Sequence, residues 1–215
     1  MAFGTDRAEK RAIALGAAAA VGFLTSRMKN KLGAVIGAGP DRRAFPPRAG
    51  RDHLRAMLSV IGSTVGAEGA GRTDLGALLD DVAGRCRRRG FVCVIADFLP
   101  PPDTWSRQLG ALAQRHDVLA IEIVDRRELD LPAVGTLSFV DPATGLRRDV
   151  HITDKVRARY AEAAAAQRAA IRTAILATGA RHLQLRTDDD WLIAVIRHVR
   201  EMRRRPVMLP AGAAS

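Results

Sequence analysis

Apolar positions along the chain follow two periods. Leu75, Leu78, Leu79, Val82 and Cys86 share one face of a helix turning 3.6 residues per turn. Directly afterwards Phe91–Ala96, FVCVIA, is apolar without a break, and Asp117–Val124, DVLAIEIV, is nearly so. Runs of that length and continuity are strands covered on both faces, which implies a parallel sheet under helices. Helical patterns are predicted over Asp6–Met28, Arg51–Gly62, Thr73–Gly90 and Asp154–Ala177, with a last helix opening at Asp188–Asp190. Asp103 or Thr104 is expected to cap a helix carrying Trp105, Leu109 and Leu112. Strands are predicted at Lys31–Gly39, Phe91–Ala96, Asp117–Val124 and His182–Thr187, with a hairpin over Gly135–Ile152 around the Asp-Pro and Thr-Gly of DPATG. Pro40–Gly50 and Ser63–Arg72 read as loops, and the end of the chain as a frayed tail. Strand and helix alternate nearly throughout, so the class is α/β with a doubly wound, mostly parallel sheet. The first helix has no strand before it, although each helix of such a fold crosses between two strands.

Composition refines this picture in two places. With 47% apolar residues the chain can build a core, and 215 residues suit one domain. Cys86 and Cys93 lie on an apolar helical stripe and in an apolar strand, so buried free thiols in a reducing cytoplasm are expected. The start of the chain lacks a signal-peptide pattern, and Ala12–Leu24 is too short to span a bilayer. The formal charge of +11 raises nucleic-acid binding as an alternative function. However, its two clusters, Arg85 with Arg87–Arg89 and Arg203–Arg205, fall at predicted helix C-termini, where cations are favoured anyway. Aromatic residues make up 4% of the chain, too few for a base-stacking platform.

In an open α/β sheet, ligands sit beyond the carboxyl ends of the strands. Asp97 ends a predicted strand there, and Thr73 and Asp74 enter the helix that leads to it. A hydroxyl with a carboxylate is the chemistry of a hard cation such as Mg²⁺. Equally, Thr73 or Asp74 could cap the helix and Asp97 the next turn. The five histidines show no ligand spacing, GAGP (Gly37–Pro40) is a strand-end turn, and no nucleophile with a base is visible, so an enzyme is not expected.

The order GRTDLGALL, RGFVCVIADF, VDRRELDLPAVG and VDPATG (the last two within Val124–Gly145) resembles the bacterial domain-of-unknown-function family 58 over almost the whole chain. The resemblance implies a von Willebrand factor A-like domain over residues 1–203, with 204–215 as a flexible tail. It also implies a metal-ion-dependent adhesion site built from a DxSxS motif after the first strand, a loop threonine and a strand-end aspartate. Thr73 and Asp97 match the last two. The DxSxS motif and its strand are absent from these residues, so the expectation is a sheet lacking its first, central strand, in a chain cut short at its N-terminus. With two of its ligands, such a site would hold Mg²⁺ weakly. The function implied is a cytoplasmic, non-enzymatic protein-interaction module whose partner is a MoxR-type AAA+ ATPase.

Overall fold

The structure, a computed structural model, describes residues 4–26, 30–64, 73–131, 135–140 and 147–204. In chain order the elements are α1 (Gly4–Ser26), β1 (Leu32–Ala38), β2 (Asp41–Arg48), α2 (Arg51–Thr64), α3 (Leu75–Arg85), β3 (Phe91–Ala96), α4 (Ser106–Arg115), β4 (Asp117–Val124), β5 (Thr136–Val140), β6 (Arg147–His151), α5 (Asp154–Ala177), β7 (Arg181–Arg186) and α6 (Trp191–Arg204). Short 3₁₀ turns precede α4 and follow β4.

The apolar runs do what their pattern predicts. β3, β4 and β7 form a parallel sheet in the order β3-β4-β7, with β4 in the centre. Because β side chains alternate, β3 and β4 each feed two cores, while β7 gives apolar side chains to one and His182 and Gln184 to the other face. On one face Val92, Val118 and Ala120 meet Leu79 of α3, Leu109 and Leu112 of α4, and Ile171 and Ile175 of α5. On the other, Leu119, Ile121, Ile123 and Leu185 meet Ile13 and Ala17 of α1 and Val195 of α6. Helices therefore cover both faces, and the α/β reading with a parallel sheet holds. Among the described residues the strands advance in one direction, with α4 and α5 on the same face, so the reversal of a doubly wound sheet is not seen.

Two antiparallel pairs accompany it. β5 pairs with β6, as the hairpin pattern predicts; its turn, 141–146, lies outside the described residues. β1 pairs with β2 across Gly39 and Pro40, where Gly39 takes the left-handed φ of 59° that a tight turn needs. Among the described residues β1 hydrogen-bonds to β2 alone and β3 to β4 alone. The first helix bridges the two groups, since α1 touches β1, β3 and β4.

Several local expectations need correction. Pro40–Gly50 is largely the strand β2, not a loop. Pro46 and Pro47 cannot donate to a ladder, but β2 has one partner, and the register slips between Leu32 and Ala34 where the prolines stand opposite. Helix α3 stops at Arg85 with Cys86 as its C-cap, four residues before Gly90, so Arg87–Arg89 lie beyond the helix on exposed backbone. Neither Asp103 nor Thr104 caps α4. Trp105 is its N-cap without a side-chain bond, because Asp103 and Thr104 are taken up in the 3₁₀ turn. Ser63 and Thr64 belong to α2, while 65–72 and the tail from 205 lie outside the described residues. Among the described residues, no helix is long and apolar enough to cross a membrane.

Candidate functional site

The loop entering α3 carries two oxygens with different duties. Asp74 is the N-cap: its Oδ1 accepts from the Ala77 N–H at 3.0 Å, satisfying a donor the helix leaves open. Thr73 is released from capping. Its Oγ1 accepts from the Gly39 N–H at 2.9 Å, which pins the loop to the end of β1. One turn further on, Gly76 lets α3 approach the segment after β3 so closely that a Cβ there would collide with the Thr104 carbonyl oxygen. The N-terminus of α3 thus touches both the end of β1 and the loop that follows β3.

Asp97 leaves β3 in an Asx turn, its Oδ1 accepting from the Leu99 N–H at 3.2 Å. The next residue, Phe98, holds a left-handed φ of 53°, a conformation that costs a non-glycine residue on the order of 1–3 kcal/mol. Packing maintains it: the Phe98 ring is fully buried and meets Trp105 edge-on at 5.2 Å. The sequence-predicted pair, Thr73 and Asp97, therefore stands at the ends of β1 and β3 in loops that converge through Gly76 and Thr104. No hydrogen bond joins the two side chains. Asp97 also does what the simpler reading allowed, closing its own turn.

A buried charge network beside Asp97 is not among the residues picked out from the sequence. Glu122 of β4 is completely buried on the α5 face. Its Oε1 accepts from Arg168 Nη1 at 2.9 Å, and its Oε2 from His182 Nε2 at 2.9 Å and Gln184 Nε2 at 3.0 Å. Burial opposes ionisation of Glu122, but the bonds from His182, Gln184 and Arg168, with the Arg168 charge, outweigh it and hold the carboxyl below its ordinary range. Because Nε2 faces an ionised carboxylate, it carries the His182 proton. Arg168 also donates to the Asp97 carbonyl at 3.2 Å and to Glu128 Oε2 at 2.7 Å. Glu128 in turn pairs with Lys10 of α1 and closes a capping box on Asp125, the residue that ends β4. Asp125 Oδ1 accepts from the Arg127 N–H at 2.8 Å, whereas its Oδ2 is buried with no partner. The network runs from α1 to α5 across the strand ends. The sequence signal was Glu122 itself, an acid inside an otherwise apolar strand, since a buried charge must find a partner.

Oxygen donors suit Mg²⁺, and Thr73 with Asp97 supplies two of them. Among the described residues there is no group of three His, Cys, Asp or Glu side chains able to hold a metal ion. Thr73 Oγ1 and Asp97 Oδ1 each already accept a backbone N–H, and two donors are fewer than Mg²⁺ takes, so water would have to complete any such site.

The family model described as "Protein of unknown function DUF58" matches residues 1–170. The chain belongs to the DUF58 family. It is similar to the uncharacterized proteins Rv1480 of Mycobacterium tuberculosis and Mb1516 of Mycobacterium bovis, each 43% identical over 202 residues, which is 94% of this chain and 63% of the relative. The uncharacterized protein MAV169 of Mycobacterium avium is 42% identical over 159 residues, 74% of this chain and 94% of that protein. The chain thus spans about 63% of the length of the first two DUF58 relatives. Among solved structures, the conserved hypothetical protein BatB of Bacteroides thetaiotaomicron aligns with a TM-score of 0.48 at 16% identity, covering 86% of this chain and 88% of that one.

Proposed function

We propose that this DUF58 chain is a non-enzymatic, cytoplasmic protein-interaction module of the von Willebrand A-like type, working with a MoxR-type AAA+ ATPase. The observation that carries the reading is the convergence at the strand ends. The Thr73 hydroxyl is tied to the end of β1, the Asp97 carboxylate stands at the end of β3, and Gly76 brings their loops together. Neither β1 nor β3 has a second strand partner among the described residues. In this reading the position between them belongs to the family's first, central strand, whose DxSxS motif would bring the missing ligands. Thr73 and Asp97 then form a reduced adhesion site, and contact with the partner relies on the surrounding loops more than on a bridging Mg²⁺. Residues 1–203 act as one domain.

The test is binding of the purified chain to the MoxR-type ATPase of the same bacterium, measured by biolayer interferometry. Saturable association is expected, weakened at least about fivefold by Thr73→Ala or Asp97→Ala, a change of about 1 kcal/mol. EDTA is expected to have a small effect. Absence of association, or variants that bind like the parent chain, overturns the reading.

Nucleic-acid binding is favoured by one observation, the exposed run Arg87–Arg89 just beyond the C-cap of α3 rather than within the helix. It predicts a duplex shift in a gel at low salt that is lost steeply as salt rises, through counterion release. No shift at low salt ends that alternative.

A further inference from the structure

We propose that a cleft between α5 and β7 is a carboxylate-binding site, shaped to take an acidic side chain from a protein partner. The cleft has a volume of about 210 Å³ and is lined by Arg168, Ala169 and Arg172 of α5 and by His182 and Gln184 of β7. Arg168 and Arg172 stand four residues apart, on one side of the helix. Their circumstances differ. Arg168 is buried and committed to Glu122, Glu128 and the Asp97 carbonyl, whereas Arg172 is exposed and makes no hydrogen bond or ion pair among the described residues. The remaining charges nearby are matched, because Glu122 and Glu128 are answered by Arg168 and Lys10. Arg172 therefore brings one uncompensated positive charge to the mouth of the cleft.

The walls suit a short aliphatic acid better than a bare ion. Ala169 and the arginine stems are apolar, and the Arg172 guanidinium is an unspent charged donor, while His182 Nδ1 and Gln184 Oε1 are acceptors that an incoming carboxylate must avoid. The His182 side chain is only 6% exposed, so its ring is a fixed part of the floor. A guanidinium matches a carboxylate in a two-pronged bond. The backbone favours a protein source for that acid. Among the described residues β7 pairs with β4 alone, which leaves its outer edge beside the cleft, where an extended segment can add as a strand and deliver an acidic side chain to Arg172. Arg168 links this cleft to the Asp97 carbonyl, but carboxylate binding at Arg172 needs neither Thr73 nor a metal ion.

The test is a titration of the full ¹⁵N-labelled chain at low ionic strength, followed by NMR. The probes are a blocked six-residue peptide with one central glutamate, its glutamine counterpart, and succinate. Saturable shifts of the Ala169, Arg172 and Gln184 amides are expected with the glutamate peptide, and binding about tenfold weaker for the glutamine peptide, the loss of one charged bond. Arg172→Ala should cause a similar loss with an unchanged unfolding midpoint, since that side chain is exposed and unbonded, and Arg172→Lys should restore part of it. No saturable shift, equal binding of both peptides, or an Arg172→Ala variant that binds like the parent overturns the site. Succinate binding more tightly than the glutamate peptide overturns the protein source.

Discussion

β3 and β4 lie side by side in one sheet and are almost equally apolar in sequence, yet they are buried to different degrees. All of β4 after Asp117 is buried, while in β3 Val92 alone is, and Phe91 is exposed. Both strands have helices on their two faces. They differ in their edges: among the described residues β4 has β3 and β7 as neighbours, and β3 has β4 alone. The comparison shows that hydrophobicity determines that a segment becomes a strand under helices, whereas the number of strand partners determines how far it is buried. A strand as apolar as FVCVIA with one paired edge has the composition of a central strand in a peripheral place.

The strongest way to break the comparison is to remove what allows β4 to bury a charge. Arg168→Ala leaves Glu122 partly unpaired in the core and should cost about 3–5 kcal/mol in urea unfolding. Arg181→Ala removes a one-third exposed partner of Asp117 in the same sheet and should cost under about 1 kcal/mol. Similar losses for the two would show that the Glu122 site is not the buried, water-poor environment described. A smaller effect is expected at the seam between the two strand groups. Gly76→Ala drives a methyl group into the Thr104 carbonyl and should cost about 1–3 kcal/mol, while Gly84→Ala, with nothing near its Cβ, should cost nothing and can stabilise the helix.

A pH series sharpens the contrast further. The folded-state pKa of Glu122 is depressed below 4.5, so its contribution is present above that value and is lost as the pH falls through the lower, folded one. Stability should therefore decline in acid, and Glu122→Gln should flatten part of the slope; an unchanged slope would remove Glu122 from the explanation. The smallest effect concerns thiols. Cys93 of β3 is only half-buried as a residue, but its thiol is enclosed, and burial pushes it up to about 12. Cys86, at the end of α3, is raised less. At mildly alkaline pH a disulfide reagent should label Cys86 first and Cys93 only on unfolding. Faster labelling of Cys93 would mean that the side chains of β3, and not just its backbone edge, are open.

Much of the fold was legible because its signals are local. The periods of α3, α5 and α6, the runs of β3 and β4, and the turn residues of the β5-β6 hairpin each follow from a few neighbouring residues. β2 was hidden because Pro46 and Pro47 argue against a strand, and the register slip that accommodates them depends on β1. Arg87–Arg89 match helix-end cations in sequence because Gly90 is a stronger helix stop than Cys86, where α3 in fact ends. The site was half legible. Asp97 and Thr73 stand where strand ends and helix starts predict, but the partners of Glu122 come from 46, 60 and 62 residues away, and no local pattern reveals them.

The proposed function depends on β3 having, among the described residues, a backbone edge without a partner, since the proposed interaction site lies between the ends of β1 and β3. Residue-resolved hydrogen exchange of the folded chain measures it directly. Alternate amides of β3 should exchange orders of magnitude faster than the amides of β4, whose two edges are paired. Protection of every β3 amide at the level of β4 would contradict the account.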